Sequence, residues 1–240
     1  MRVLALALTL MILAAPAGAQ EITLDMGGNG SLTNSSLILI AGITLLSLAP
    51  GLAIMVTCFP FIVTVLSILR QAMGLQQSPP NMLIISLALF LTWFVMEPTF
   101  MASYQAGIEP LIAQKIDIVT AFERGVEPFR IFMAGRTDPE TFTQLAAIRE
   151  GATYTGTARE APLSILVPSF MLSEITRAFE IGFLVFLPFL IIDLVVSAIL
   201  MSMGMMMVPP AVVALPFKLA FFVVANGWVL LSGALVRSYS

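Results

Sequence analysis

Two side chains of opposite charge, Asp193 and Lys218, lie inside long apolar segments of the sequence. A charge in a membrane-spanning segment costs at least about 2.5–3.5 kcal/mol, so such side chains usually face a partner or water. If the turn between the segments is centred near Val208, Asp193 lies 15 residues before it and Lys218 10 residues after it. At 1.5 Å per residue their depths differ by about 7–8 Å, which a lysine side chain covers. The spacing predicts an Asp193–Lys218 ion pair; a proton relay through Asp193 and a water-lined pathway without titration remain alternatives.

A second group of charges lies in the stretch PSFMLSEITRAFEIG, where Glu174, Arg177 and Glu180 follow one another at intervals of three residues. This spacing places them on one face of a helix and predicts local ion pairs. Glu174 is also an alternative partner for Lys218 between subunits. The pattern is compatible with a solvated helix end and with a subunit contact.

Methionines are concentrated in the stretch LMSMGMMMVPP, which holds five of the 15 in the chain. Core filling is the ordinary interpretation, because flexible thioether side chains fill irregular gaps. Gly204 permits a helix break, however, and Pro209-Pro210 ends the run, so the sequence predicts a loop. Oligomer symmetry would gather several such loops into a soft apolar constriction. The five methionines of this stretch are therefore candidates for lining a pore.

Enzymatic sites are poorly supported by the residue types available. The chain has no histidine and a single cysteine, Cys58, so the usual zinc sites, Ser-His-Asp triads and Cys-His pairs cannot form within it. The GGNG stretch lacks the Gly-Lys-Ser/Thr ending of a phosphate loop. We therefore expect no catalysis and no cofactor. An intramembrane hydrolase remains an alternative because serines and lysines are present. No recognisable paired motif of these residues supports it.

The elements that position these residues are those of a membrane protein. Of the 240 residues, 59% are hydrophobic and 10% are charged, and the mean hydropathy is +1.00, too apolar for an ordinary soluble domain. The net charge is −3 and no polybasic block occurs, so no nucleic-acid partner is indicated.

Composition divides the chain into five segments. A short apolar run ending in Ala17-Gly18-Ala19 is typical of a cleaved signal peptide. The apolar runs 37–69, 82–102, 179–208 and 211–236 are each long enough to span a membrane, whereas 16 of the 25 charged residues lie between Ser103 and Ala178. The predicted segments are a signal peptide (1–19), a polar linker (20–36), a first apolar helical pair (37–102), a charged helical extracytoplasmic segment (103–178) and a second apolar hairpin with the Met-rich turn (179–240).

The predicted fold class is an all-α membrane-associated protein with four long apolar helices arranged as hairpins. Prolines interrupt or flank these helices and are expected to bend them. Broken helices at membrane depth are tolerated where protein rather than lipid surrounds them. The pattern therefore indicates a subunit of an assembly.

Two long motif blocks make the sequence similar to the FliP family, the export-gate component of the flagellar type III secretion apparatus. The first block is ILRQAMGLQQSPPN with LALFLTWFVMEP, residues 68–81 and 87–98. The second covers residues 167–228 and includes LMSMGMMMVPP and LPFKLAFFVVANGW. Departures from the family pattern are Cys58-Phe59-Pro60-Phe61, Gln71, Thr176 and Asn226. The absence of a basic residue near position 61 places in question any subunit contact that the family makes through it.

The resemblance implies a non-enzymatic gate subunit in the bacterial inner membrane, within the flagellar basal body. Its expected partners are several copies of itself, a pentamer being the expected number, FliQ-like and FliR-like subunits, a FlhB-like switch protein and unfolded flagellar proteins in transit. The resemblance implies that the family's methionine gasket corresponds to Met205, Met206 and Met207, and its hairpin lysine to Lys218. Met201 and Met203 are then expected to pack on the preceding helix. The alternative function is a secondary transporter that couples ions through Asp193 and Lys218, although the two halves show no convincing repeat.

Overall fold

The computed structural model describes residues 32–75, 79–148, 156–205 and 207–239, and these residues contain helices and turns but no strand. The predicted signal peptide lies outside the described residues, and the last part of the predicted linker is already helical from Leu32. The chain divides into two compact units, Met1–Ser47 and Leu48–Ser240. In the first unit residues 32–47 are helical, and every contact discussed below lies in the second.

The helices are named in the order in which they follow one another along the chain. Their bounds are α1 (Leu32–Met55), α2 (Phe59–Ala72), α3 (Asn81–Ser103) continued by a π-helical segment (Tyr104–Ile108), α4 (Glu109–Ile112), α5 (Ile118–Arg136), α6 (Pro139–Ile148), α7 (Leu163–Ser202), α8 (Pro210–Val224) and α9 (Gly227–Arg237).

The all-helical prediction is confirmed for the described residues, whereas four long spanning helices are not found there. By length and composition, two helical stretches, Asn81–Ile112 and Leu163–Ser202, suffice to cross a membrane. A third span is obtained if α8 and α9, which are bent by 62° against each other, count as one. The described residues therefore form an all-helical structure with two or three candidate spans instead of the four that were predicted.

Two of the predicted runs are broken where local chemistry favours a break. The run 37–69 is interrupted at residues 56–58 between α1 and α2, and α2 carries a proline in its first turn, where the missing amide hydrogen costs nothing. The last run is interrupted after Val224, where Asn226 adopts the left-handed conformation at φ 51°, which asparagine tolerates better than most residues. Conversely, α7 is continuous for 40 residues through the predicted border at 178/179.

The core is built around α2. Its side chains Phe61, Ile62, Val65, Leu66 and Leu69 are almost fully buried and pack with buried residues of α3, α7, α8 and α9 in one cluster. A second cluster joins α5 and α6 to the first half of α7. The least exposed helix is therefore short, and the long helices α3 and α7 each leave one face uncovered.

The start of α6 follows the prediction from the sequence. Asp138 Oδ2 accepts hydrogen bonds from the amide of Thr141 at 2.8 Å and from its hydroxyl at 2.9 Å, as an N-cap does. These bonds hold the pKa of the Asp138 carboxyl below its usual value. The amide of Asp138 donates to Ser173 Oγ at 2.9 Å, so the cap also ties α6 to α7.

Replacing Gly107 by alanine is expected to force the π-helical segment away from α5. A Cβ atom at Gly107 would lie 2.6 Å from the carbonyl oxygen of Ala121 and 3.0 Å from Cα of Gly125. Because both are backbone atoms, the helices must move, and we expect a loss of about 1–3 kcal/mol. Thermal unfolding of the detergent-solubilised chain measures this loss of stability.

Gly125→Ala on the facing helix is the matched control for this prediction. A Cβ atom there would lie no closer than 3.6 Å to another atom, the Oγ of Ser103, which is ordinary contact. Alanine is also the better helix residue. Equal unfolding temperatures for the two variants would contradict the close packing at Gly107.

Candidate functional site

The Met-rich turn joins α7 to α8. Helix α7 ends in a Schellman motif, in which Gly204 has φ +75°. The amide of Gly204 donates to the carbonyl oxygen of Met201 at 3.0 Å, and the amide of Met205 donates to the carbonyl oxygen of Leu200 at 2.9 Å. Glycine favours this conformation because it has no Cβ atom. Pro210 then opens α8, so the local sequence fixes both ends of the turn.

The methionine side chains that the structure describes in this turn are exposed. Met205 is 42% exposed and Met207 98% exposed, whereas Met206 lies outside the described residues. Met201 and Met203 are 64% and 67% exposed, so the expected packing of these two side chains on the preceding helix is not found among the described residues. An exposed apolar turn of this kind is available for contacts with other molecules.

Behind the turn, Lys218 of α8 binds α7 and α2. Its Nζ lies 2.6 Å from Asp193 Oδ2 and donates to the carbonyl oxygen of Ala72 at 3.0 Å. Ala72 is the last residue of α2, and its carbonyl lacks a partner within the helix. A cation is favourable there because the helix dipole is negative at this end.

The two members of this pair differ in their surroundings. The Lys218 side chain is 7% exposed and that of Asp193 34% exposed, and Asp193 Oδ1 is buried without a hydrogen-bond partner among the described residues. The lysine therefore depends on the pair more than the aspartate does. The pair fixes the α7–α8 hairpin, and with it the base of the Met-rich turn.

Glu174 has partners other than those predicted for it. It is 1% exposed, and its Oε1 accepts a hydrogen bond from Arg136 Nε at 3.1 Å, while its Oε2 accepts one from the hydroxyl of Tyr239. Arg136 Nη1 also donates to the carbonyl oxygen of Ser238 at 2.7 Å. We call Glu174, Arg136, Ser238 and Tyr239 the tail cluster, because it attaches the residues that follow α9 to α5 and α7.

Aromatic contacts complete the tail cluster. The guanidinium carbon of Arg136 lies 4.0 Å from the centre of the Tyr239 ring, and this ring also contacts Phe61 and Phe132 at centroid distances of 5.4 and 6.0 Å. Burial and the Glu174 carboxylate raise the pKa of Tyr239 far above its usual value, so its hydroxyl remains protonated and donates. Tyr239 is thus held by a hydrogen bond to a buried charge and by contacts with the Arg136 guanidinium and two aromatic rings.

The structure does not join the charges that the sequence grouped on α7. Arg177 is partly exposed, and among the described residues it forms no ion pair with Glu174 or Glu180. Glu174 is held within the chain and does not contact Lys218. Sequence reasoning missed Arg136 and Tyr239 because they are 38 and 65 residues from Glu174, and no local spacing indicates such a contact.

No group of three or more His, Cys, Asp or Glu side chains in the described part of the chain is arranged to hold a metal ion.

A model of the FliP family matches residues 42–235, which contain the Met-rich turn, the Asp193–Lys218 pair and Glu174. The chain belongs to the FliP family. This confirms the resemblance that the two motif blocks indicated.

FliP-family proteins that are close in sequence bear the same name, flagellar biosynthetic protein FliP. The one from Caulobacter vibrioides is 50% identical over 237 residues, 97% of this chain and 88% of the relative. The one from Rhizobium meliloti is 45% identical over 238 residues, 97% and 96% of the two chains. The one from Bacillus subtilis is 42% identical over 209 residues, which are 86% of this chain and 93% of the relative.

Proposed function

We propose that this chain is a non-enzymatic core subunit of the flagellar type III protein export gate. The observation that carries the proposal is the exposed Met-rich turn at the end of the α7–α8 hairpin, within a chain of the FliP family. Several copies, expected to be five, assemble with FliQ-like and FliR-like subunits around a channel for unfolded flagellar proteins. A FlhB-like protein acts as the export switch.

The complex lies at the bacterial inner membrane within the flagellar basal body. In this arrangement the charged segment 103–178 is extracytoplasmic and the four predicted apolar segments form bent hairpins packed on neighbouring subunits. The large number of exposed apolar side chains on α3, α7 and α8 supports this arrangement, because an isolated chain in water would leave them uncovered.

The Met-rich turn acts as the gasket of the gate. Methionine suits this role because its flexible, polarisable side chain adapts both to a closed apolar ring and to varied passing chains. An apolar constriction excludes water and ions while it is closed. Energy for transport comes from other components, since the chain carries no nucleotide-binding signature.

Deleting the chain is expected to stop secretion of flagellar filament proteins, and purification in mild detergent is expected to recover FliQ-like and FliR-like companions identified by mass spectrometry. Normal secretion without the chain, or the absence of both companions, would refute the proposed function.

Replacing Met205, Met206 and Met207 together by alanine is expected to leave assembly intact but to make the membrane permeable to small ions. Alanine removes the long side chains that close the ring, so the constriction widens and wets. Ion flux into vesicles that contain the purified complex measures the leak. Replacing Met201 and Met203 by alanine is the matched control, and a tight seal in the triple variant would exclude the gasket.

Ion coupling through Asp193 and Lys218 is the alternative function. The direct contact between Nζ and Oδ2, together with the bond to Ala72, favours a structural pair over a transport site, because the ammonium is already engaged by two acceptors. Uptake by the chain reconstituted alone, abolished by Asp193→Asn, would instead support the transporter.

A further inference from the structure

Helix α3 leaves one face uncovered that contains a carboxylate among large apolar side chains. Its buried residues Ile84, Ala88, Thr92 and Met96 recur every four positions and face α2. The opposite face is exposed, with Phe90 at 75% and Phe94 at 64%. We call this face the α3 stripe; it consists of Phe90, Phe94, Glu97 and Met101.

Glu97 makes the α3 stripe unsuitable for lipid. It is exposed and has no ion pair among the described residues, and the 32-residue stretch Asn81–Ile112 contains no lysine or arginine. An ionised carboxylate facing hydrocarbon is strongly unfavourable, and such residues are found paired with a cation or facing water. A cation that pairs with Glu97 therefore comes from outside this stretch.

The backbone beside Glu97 favours arginine as that cation. Pro98 follows Glu97 within the helix and has no amide hydrogen, so the carbonyl of Phe94 loses its usual helical donor. A carboxylate and a carbonyl then lie on the same exposed face. A guanidinium, with five donors in a planar fork, can satisfy both, whereas an ammonium is a point charge.

Helix α7 carries a complementary surface. Leu184, Ile191 and Val195 are each more than half exposed and lie on one helical face with Arg177. Arg177 is partly exposed and forms no ion pair among the described residues. We call Arg177, Leu184, Ile191 and Val195 the α7 stripe.

We propose that the α3 stripe of one copy binds the α7 stripe of a second copy of this chain, with Arg177 against Glu97. The proposal rests on the proposed function, of which it specifies the contact between copies. Two different surfaces meet, so the contact is head-to-tail, and repeating it closes a ring when the rotation permits. A ring is the arrangement that would bring the Met-rich turns together around one axis.

Cross-linking between cysteines tests the contact, and Cys58→Ala provides a background without cysteine, since the chain has only one. Two differently tagged copies are coexpressed, one with Glu97→Cys and the other with Arg177→Cys, and treated with a short bis-maleimide. A product carrying both tags is expected. If both copies carry Glu97→Cys, no such product should form. Products between like positions only, or products with a different protein only, would overturn the proposal.

Charge reversal provides the second test. Glu97→Arg or Arg177→Glu places like charges together, which opposes association strongly, and each is expected to lower the oligomeric fraction at least about tenfold. The double variant should restore it, while Lys115→Glu, at an exposed lysine of the charged segment, should have no effect. Protection of the buried Cys58 from thiol reagents in otherwise unmodified chains verifies that each variant folds. Failure of the double variant to recover would overturn the pairing.

The two proposals fail in distinguishable ways. If the wild-type chain forms oligomers and supports secretion of flagellar proteins but the cross-links and the charge swap fail, only the interface between the stripes is wrong. If secretion is normal without the chain, the proposed function is wrong whatever the cross-links give.

Discussion

Replacing Asp193 by alanine is expected to destabilise the chain more than replacing Lys218 by methionine does. The first change leaves the Lys218 ammonium, on a side chain that is 7% exposed, with only the Ala72 carbonyl as a partner, whereas the second leaves an aspartate whose side chain is 34% exposed although its Oδ1 is buried. Removing one member of a buried pair costs about 3–5 kcal/mol, and this is an upper bound for Lys218→Met because water screens the exposed partner. Thermal or denaturant unfolding in detergent measures both.

The double variant Asp193→Leu with Lys218→Met is the control for charge. With both charges gone and similar volumes retained, no unpaired ion remains, and such replacements are often neutral or stabilising. We expect the double variant to recover most of the stability that Asp193→Ala loses. Equal losses in the two single variants would contradict the predicted difference between them, and a loss in the double variant equal to the sum of the single losses would show that the two groups do not act as a pair.

Replacing Arg136 by leucine is expected to release the tail cluster and to make Cys58 reactive. Glu174 would remain buried without its cation, at a cost of about 3–5 kcal/mol. Cys58 is fully buried and belongs to the same hydrophobic cluster as Phe61, against whose ring Tyr239 packs. Opening the cluster therefore uncovers the thiol, and at about 1.4 kcal/mol per factor of ten we expect a rate of maleimide labelling at least about a hundredfold higher.

Arg124→Leu is the matched control, because Arg124 lies on the same helix and is exposed. Tyr239→Phe should have a smaller effect, since it leaves one carboxylate oxygen unsatisfied at a cost of about 1–3 kcal/mol. Combining Arg136→Leu with Glu174→Leu should restore much of the protection by removing the stranded charge. Unchanged labelling of Cys58 in Arg136→Leu would exclude the role assigned to the tail cluster.

The boundaries between elements show how far local sequence reaches. The cap at Asp138 was predictable because its partner is Thr141, three residues away, and the end of α7 follows from Gly204. The break between α1 and α2 was not predicted, because hydropathy records only that residues 37–69 are apolar. Whether such a run remains one helix depends on what packs against it, and here the neighbours bury α2 almost entirely.

The sequence by itself determined the family and an apolar, helical character, and it predicted the approach of Asp193 to Lys218, because their separation follows from helical rise around a single turn. Only the tertiary structure decided that Glu174 binds Arg136 and Tyr239, that Arg177 has no acidic partner in an ion pair among the described residues, and which faces of α3 and α7 remain exposed. The physical reason is distance along the chain. A helix fixes relations over three or four residues, whereas contacts across 38 or 65 residues depend on how the helices pack together.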